Sequence, residues 1–270
     1  MKLAISNIAW ENDRNDEYLS LVKNLGCTGI EIAPSCIWPE PILTTQNERR
    51  AFREKVKKIG LELVGFHALL FTRPDLQLFE SLKSRQETGE YLKKLFQLCS
   101  DLGGKNLVFG SPRNRKLHGL DYEQALSIAV DFFRGLMPAA QECDIHLCFE
   151  ALSPLETDFI ISSEEVMYLI EHVSHPRFGL HLDAKAMIES KENFQAVFSK
   201  YGKLLRHFHV GDPGLSPPGT TGFDHRLIGD ALKTSGYEGF VSIEMRRSPN
   251  SASEVIKKSI GYVKENYHIN

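Results

Sequence analysis

The sequence predicts an α/β fold, a single (β/α)8 TIM barrel that spans residues 1–270 as one domain. Eight short apolar runs alternate with longer amphipathic stretches, which indicates parallel strands joined by right-handed helical crossovers. The chain has 270 residues, and about 250 residues is typical of this barrel. No glycine-rich phosphate loop follows the first strand, and this disfavours the alternative of an open doubly wound sheet.

Each element follows from a local pattern. The helices are predicted from apolar residues at helical spacing; the first ends at Gly26, the second at Gly60 and the third at Gly103, because glycine commonly ends a helix. Later helices are expected over about 121–142, 162–173, 192–201, 224–235 and 252–266. The predicted strands are Leu3–Asn7, Gly29–Ala33, Leu61–His67, Asn106–Gly110, His146–Glu150, Phe178–Asp183, Leu205–Val210 and Phe240–Met245.

Composition narrows the function classes. The formal net charge is −3, which gives no electrostatic reason to expect a nucleic-acid partner. The five cysteines form no CxxC pair, and their odd number argues against a disulfide framework, so a reduced cytoplasmic location is expected. The N-terminal apolar run is too short for a signal peptide, and no segment approaches the roughly 18 apolar residues of a membrane span. We therefore expect no membrane association.

Four late strands each end in a side chain that metals favour. These residues are Glu150, Asp183, His209 and Glu244. Alternate residues of a strand face opposite sides, and all four fall on the inward-facing parity at the carboxyl ends of their strands. Oxygen ligands with one imidazole suit Mn, Mg, Co or Zn. The pattern predicts one divalent-metal site at the barrel mouth, with a structural ion-pair network as the alternative.

Several longer motifs carry a family resemblance over essentially the whole chain. They are Cys148-Phe-Glu-Ala151, Glu156-Thr-Asp-Phe-Ile-Ile-Ser162, His175-Pro-Arg-Phe-Gly-Leu-His-Leu-Asp183, His207-Phe-His-Val-Gly211 and Val241-Ser-Ile-Glu-Met-Arg246. With them the chain resembles the xylose isomerase-like TIM-barrel superfamily, in its sugar (phosphate) isomerase/epimerase branch. The resemblance implies one divalent metal held by Glu150, Asp183, His209 and Glu244, and proton transfer by the two glutamates. It also implies a small sugar or sugar phosphate as substrate, and relatives of this kind often form homo-oligomers.

The expected chemistry is that of a metal-dependent isomerase, either an aldose–ketose isomerase or a ketose epimerase. Removing a proton next to a carbonyl is difficult because negative charge develops on the oxygen, and a divalent cation stabilises the resulting enediolate. A positioned carboxylate that takes the proton typically increases the reaction rate by about 10²–10⁴-fold. Glu150 and Glu244 come from strands three apart around the barrel, so they can approach a substrate from opposite faces.

Further residues are expected at the mouth. His67, Glu156, Lys185 and Asp212 are predicted to bind substrate. The alternative for His67 is a core histidine, and the alternative for Glu156 and Lys185 is a solvated loop residue. His181 and His207 lie one inward step below the metal layer and are expected to support its ligands, with direct ligation of the metal as the alternative. The basic segment 112–116 follows the fourth strand and either binds an anionic group of the substrate or is solvated.

Two departures from the resembled family leave other functions open. Many such epimerases have a histidine where this chain has Ala186, and an arginine in the loop after the seventh strand that is missing before Arg226. The alternatives are an inosose dehydratase-like lyase and, less favoured, an endonuclease IV-like metal-dependent hydrolase with three zinc ions. A sugar-binding barrel without catalysis is disfavoured because binding alone needs no paired proton carriers.

Overall fold

Eight parallel strands close into a single barrel in the order β1 to β8, in a computed structural model that describes residues 1–248 and 251–270. The predicted (β/α)8 TIM barrel is therefore confirmed. The strands are β1 (Lys2–Ser6), β2 (Gly29–Ile32), β3 (Glu62–Phe66), β4 (Asn106–Phe109), β5 (His146–Glu150), β6 (Phe178–Asp183), β7 (Leu205–Val210) and β8 (Phe240–Ile243).

Helices surround the barrel, and their ends follow the local sequence signals. Thr45 and Ser162 each form a capping box with a glutamate three residues later, and Gly60 and Gly103 end their helices in the left-handed conformation. None of the helices in the described residues is both long and apolar enough to cross a membrane. The helices are α1 (Asn15–Asn24), α2 (Gln46–Ile59), α3 (Leu82–Leu102), α4 (Tyr122–Glu142), α5 (Ser163–Val173), α6 (Ala184–Glu189), α7 (Phe194–Tyr201), α8 (Arg226–Thr234) and α9 (Ala252–Asn266).

The predicted strands agree closely with the observed ones. Strands β5, β6 and β7 have the predicted bounds. Strand β1 has the predicted length but begins and ends one residue earlier, and the other four strands are one or two residues shorter than predicted. The short helix α6 was not predicted. It starts directly after β6 because the side chain of Asp183 accepts a hydrogen bond of 3.0 Å from the backbone nitrogen of Lys185 and caps the helix.

Side chains of each strand alternate between two cores. Outward-facing side chains pack against the helices; the ring of Phe149 on β5, for example, lies 5.4 Å from that of Phe133 on α4. Inward-facing side chains fill the barrel and include His181 and Ser242, both without exposed surface. The inward parity predicted for the late strands is confirmed, and it brings their terminal polar groups to one mouth.

Candidate active site and metal centre

Two carboxylates surround one imidazole nitrogen at the mouth of the barrel. Glu150 ends β5, His209 lies in β7 and Glu244 directly follows β8. The Nδ1 atom of His209 lies 3.0 Å from Oε2 of Glu244 and 4.0 Å from Oε1 of Glu150. One ligand atom from each of the three residues lies within 4.8 Å of the others. Three of the four predicted metal ligands are thus in one compact group.

Asp183, the fourth predicted ligand, borders this group. It ends β6 beside His209 in the strand register, and its side chain is buried. It is not among the atoms that lie within 4.8 Å of one another, and one of its oxygens caps α6. Burial and the nearby charge of Glu244 raise the pKa of Asp183 to about 7. The charge of Glu244 therefore affects the protonation of Asp183, although one oxygen of Asp183 is hydrogen-bonded to the first turn of α6.

The buried carboxylates of the site shift the pKa values of one another. Burial, followed by the charges of Glu244 and Asp183, raises the pKa of Glu150 well above its ordinary value. Burial also opposes ionisation of Glu244, but His209 and His67 outweigh it and hold the pKa of Glu244 well below its ordinary value. The two glutamates therefore differ in their affinity for a proton, although both lie beside the same imidazole.

The donor set fits a divalent cation. The Nε2 atom of His209 lies 2.9 Å from Oε2 of Glu31, so Nε2 carries the proton that the carboxylate accepts. Nδ1 is buried and, within the described part of the chain, makes no hydrogen bond of acceptable geometry despite its nearness to carboxylate oxygens. Burial opposes protonation of His209, but the charges of Glu31 and Glu244 outweigh it and raise the pKa of His209 well above its ordinary value. A positive charge is therefore favoured between these carboxylates, carried either by a proton on Nδ1 or by a bound cation. Glu150, His209 and Glu244, with Asp183 adjacent, supply the oxygen and imidazole donors that Mn, Mg, Co or Zn accept.

A glycine makes room for one of these carboxylates. Gly110 follows β4 directly, beside the end of β5. A Cβ atom at position 110 would overlap Oε2 of Glu150. The missing side chain at residue 110 is therefore part of what lets Glu150 extend into the mouth.

His67 orients Glu244. It directly follows β3 and is buried, with Nδ1 3.0 Å from Oε1 of Glu244 and Nε2 2.5 Å from Oγ of Ser6. Because the carboxylate can only accept, Nδ1 of His67 donates to it. Both ring nitrogens of His67 thus have protein partners. Contact between His67 and a sugar, which the sequence predicts, stays a prediction.

Glu156 and Lys185, both predicted to bind substrate, form an ion pair at the mouth. Nζ of Lys185 contacts the Glu156 carboxylate and lies 3.2 Å from Oε2 of Glu189, and the lysine is almost entirely buried. Glu189 in turn accepts a 3.0 Å hydrogen bond from the backbone of Gly214. Lys185 therefore links the loop after β5, helix α6 and the loop after β7. The part of Glu156 that remains exposed, 30% of its side chain, is available to a ligand.

Asp212, the fourth predicted substrate contact, is fully buried. Its carboxylate accepts hydrogen bonds from the backbone nitrogens of Gly219, Thr220 and Thr221, at 3.2, 2.9 and 2.7 Å, from Oγ1 of Thr221 at 2.9 Å and from Nε2 of His225 at 2.6 Å. Burial opposes ionisation, but these donors hold the pKa of Asp212 at about 2. Both oxygens of Asp212 organise their own loop, so we leave this residue out of the proposed sugar contacts.

The two histidines of the lower layer contact the site. Nε2 of His181 lies 3.6 Å from Oε1 of Glu150, and its ring centre lies 4.1 Å from that of His209. Nε2 of His207 lies 3.0 Å from Oε1 of Glu31. Both rings are buried, and one nitrogen from each of His181, His207 and His209 lies within 4.8 Å of the others. Support of the ligands and direct ligation therefore both stay predictions for His181 and His207.

Two buried charged residues at the site were not singled out by sequence reasoning. Glu31 lies in β2 with no exposed surface and contacts both His207 and His209. The sequence does contain an indication of this role, because Glu31 is a charged residue at an inward-facing position of the otherwise apolar strand Gly29-Ile-Glu-Ile32.

The second such residue is Arg115, from the basic segment 112–116. Its side chain turns inward instead of toward solvent or a ligand and is fully buried. Nη1 donates to the backbone oxygen of Glu150 at 2.8 Å and Nη2 donates to that of Ile160 at 3.4 Å. The guanidinium carbon lies 4.8 Å from the ring centre of Phe149. Arg115 therefore fixes the backbone that carries Glu150.

Comparison with known proteins finds sugar epimerases among the relatives. The chain is 25% identical to a D-psicose 3-epimerase of Enterocloster bolteae over 232 residues, which cover 84% of this chain and 75% of that protein. It is 23% identical to a D-psicose 3-epimerase of Ruminiclostridium cellulolyticum over 256 residues, covering 90% and 83%. An inosose dehydratase of Geobacillus thermodenitrificans is 21% identical over 98% of this chain and 97% of its own length. The sugar epimerase relatives confirm the predicted isomerase or epimerase class of enzyme.

Solved structures confirm the fold across the whole chain. A D-psicose 3-epimerase in the presence of D-fructose has a TM-score of 0.83 at 20% identity and covers 99% of both chains. The IOLI protein with a zinc atom has a TM-score of 0.79 at 20% identity, covering 99% of this chain and 98% of its own. The family model described as the xylose isomerase-like TIM barrel matches residues 19–266. This chain therefore belongs to the xylose isomerase-like TIM-barrel family, as its motifs predict.

Proposed function

We propose that this protein is a divalent metal-dependent ketose 3-epimerase that acts on a small sugar or sugar phosphate by proton transfer through an enediolate. The observation that carries the proposal is the pair of glutamates, Glu150 and Glu244, on either side of Nδ1 of His209 at 4.0 and 3.0 Å. The 3-epimerase relatives support the reaction at carbon 3.

The two glutamates provide the proton carriers. Glu150 ends β5 and Glu244 follows β8, so their backbones lie three strands apart while their carboxylates meet near one imidazole. For a sugar bound between them, one carboxylate removes the proton from carbon 3 and the other delivers a proton to the opposite face. Each such group typically contributes about 10²–10⁴-fold to the rate. Inversion follows because removal and return occur on different faces.

The metal would be held by Glu150, Asp183, His209 and Glu244. When bound, a divalent cation stabilises the negative charge that develops on the oxygens of the sugar as the proton leaves. The identity of the metal is open among Mn, Mg, Co and Zn, all of which accept these donors.

Surrounding residues keep the two carboxylates in place. His67 donates to Oε1 of Glu244, and Arg115 holds the backbone oxygen of Glu150. The partly exposed carboxylate of Glu156 is the proposed acceptor for sugar hydroxyls, and the adjacent ion pair with Lys185 fixes its direction. Such support limits the motion of the reacting groups, on which proton transfer depends.

The test is incubation with ketoses and their phosphates in D2O with added Mn²⁺ or Co²⁺, followed by NMR. D-psicose, D-fructose and D-tagatose are the first probes. We expect deuterium at carbon 3 together with the 3-epimer. Exchange at carbons 1 and 2 with an aldose product indicates an aldose–ketose isomerase instead. Absence of exchange with every sugar contradicts both.

Two further measurements separate the alternatives. Epimerisation conserves the mass of the sugar, whereas a dehydratase reaction, suggested by the inosose dehydratase relative, loses one water. About one metal ion per chain agrees with the single site proposed here, and about three would favour an endonuclease IV-like hydrolase. Both outcomes are read directly, by mass spectrometry and by elemental analysis.

The proposed setting is a cytoplasmic protein that forms a homo-oligomer. All five cysteines are free thiols, which fits a reduced compartment. Analytical ultracentrifugation measures the oligomeric state, and cell fractionation measures the location.

A further inference from the structure

Inside the barrel, the carboxylate of Glu31 connects strands that are not neighbours in the sheet. Glu31 lies in β2, whereas its partners lie in β7 and β8. Oε1 accepts a 3.0 Å hydrogen bond from Nε2 of His207, and Oε2 accepts bonds of 2.9 Å from Nε2 of His209 and 2.6 Å from Oγ of Ser242. All four residues have at most 1% exposed surface. The carboxylate of Glu31 therefore has three hydrogen-bond donors and no exposure to solvent.

This arrangement decides which nitrogen of His209 faces the mouth. A carboxylate cannot donate, so Nε2 of His209 must carry a proton, and the ring is fixed with Nδ1 directed toward Glu150 and Glu244. Nδ1 is the buried nitrogen that makes no hydrogen bond of acceptable geometry within the described residues. In metal sites, a carboxylate on the far nitrogen of a histidine orients the ring and strengthens the ligand.

We infer that Glu31 is a positioning residue of the metal centre, which selects Nδ1 of His209 as the metal-binding atom and supplies a negative charge behind it. The inference rests on the metal site of the proposed function. Glu31 itself touches neither the sugar nor the metal; it acts through His209. Its position across the barrel also means that the geometry of the site depends on β2, a strand that contributes no ligand.

The test uses three variants of the whole protein. Glu31→Met removes every strong acceptor and the charge. Glu31→Gln keeps one acceptor oxygen, which can serve only one of the two rings. The matched control is Ser242→Ala, which removes the third hydrogen bond to Glu31 but leaves both histidine contacts in place.

Calorimetric titration with Mn²⁺ is the first readout. We expect Glu31→Met to bind Mn²⁺ about 10–100-fold more weakly than the parent protein, with Glu31→Gln between them and Ser242→Ala close to the parent. The second readout is ¹⁵N NMR of the zinc-loaded parent, in which the remaining ring proton of His209 should be on Nε2. This readout needs no variant, so the inference can fail even if Glu31→Met does not fold.

The outcomes distinguish the inference from the proposed function. Parent-like Mn²⁺ affinity in folded Glu31→Met or Glu31→Gln overturns the positioning role and leaves the metal enzyme intact. A proton on Nδ1 of His209 in the zinc-loaded parent overturns it as well. A parent protein that binds none of Mn²⁺, Co²⁺ or Zn²⁺ overturns the proposed function, and the inference with it. A purely structural role for Glu31 would lower the melting temperature of the variants without changing their metal affinity.

Discussion

Replacing Asp212 with asparagine tests whether this residue organises the loop after β7 or contacts the sugar. The variant has nearly the same shape but loses the charge that the surrounding donors stabilise. The donors lower the pKa of Asp212 from 3.8 to about 2, which corresponds to about 2 kcal/mol of stability. For a protein of this size, we expect the melting temperature at pH 7 to fall by about 4–8 °C.

The pH dependence has a definite sign. Because the pKa of Asp212 is lower in the folded protein than in the unfolded chain, its stabilisation is complete above about pH 4 and disappears as the pH falls toward 2. The free energy of unfolding, measured by urea titration with circular dichroism, should therefore differ between parent and Asp212→Asn at pH 7, and the difference should shrink below about pH 4 and be small near pH 2. Asp224→Asn, at an exposed position of the same loop, is the matched control.

Two results would refute this reasoning. One is an Asp212→Asn protein as stable as the parent at pH 7. The other is a deficit that does not shrink in acid. If the variant instead keeps its stability and loses affinity for a ketose, then Asp212 contacts the sugar as the sequence predicts.

Other changes test the site itself. Glu150→Gln and Glu244→Gln should each lower turnover by about 10²-fold or more with the fold intact, and full activity in either would contradict its role in proton transfer. Chelation should lower the melting temperature, because a metal at 100 times its Kd stabilises the fold by about 2.7 kcal/mol; calorimetry that detects no change upon chelation and Mn²⁺ addition would count against the site. Arg115→Lys should lose about 2 kcal/mol in urea unfolding, since lysine cannot hold both backbone carbonyls; equal stability would refute this. Lys185→Met removes the cationic partner of Glu156 and Glu189 and should raise KM for the ketose, a parameter that an uninvolved loop lysine would not alter.

The late strands could be predicted because their signals are local. Each of the runs that end in Glu150, Asp183 and Val210 is an apolar strand with polar residues at alternate positions, and these strands have the predicted bounds. The alternation also indicates whether each polar side chain faces the barrel interior or the helices. Since parallel strands of a barrel end at one mouth, local parity is sufficient to predict that the candidate ligands lie close together.

The partners of these ligands could not be predicted in the same way. Glu31 is 178 residues away from His209 in the chain, and Arg115 reaches Glu150 from a loop 35 residues earlier. Which inward or basic residue meets which ligand depends on strand stagger and on loop paths, and neither is encoded in a local pattern. Helix α6 was missed because Asp183 was interpreted only as a ligand, although it is also a helix cap.

The absence of a side chain at Gly110 restricts which residues fit beside Glu150. Because a Cβ there would overlap the Glu150 carboxylate, a side chain at position 110 requires the end of the Glu150 side chain to move from its present position. A larger residue at position 110 would therefore alter the distance between the Glu150 carboxylate and His209, even though residue 110 contributes no polar group of its own. Substitutions at positions 110 and 150 should consequently be linked in barrels of this geometry.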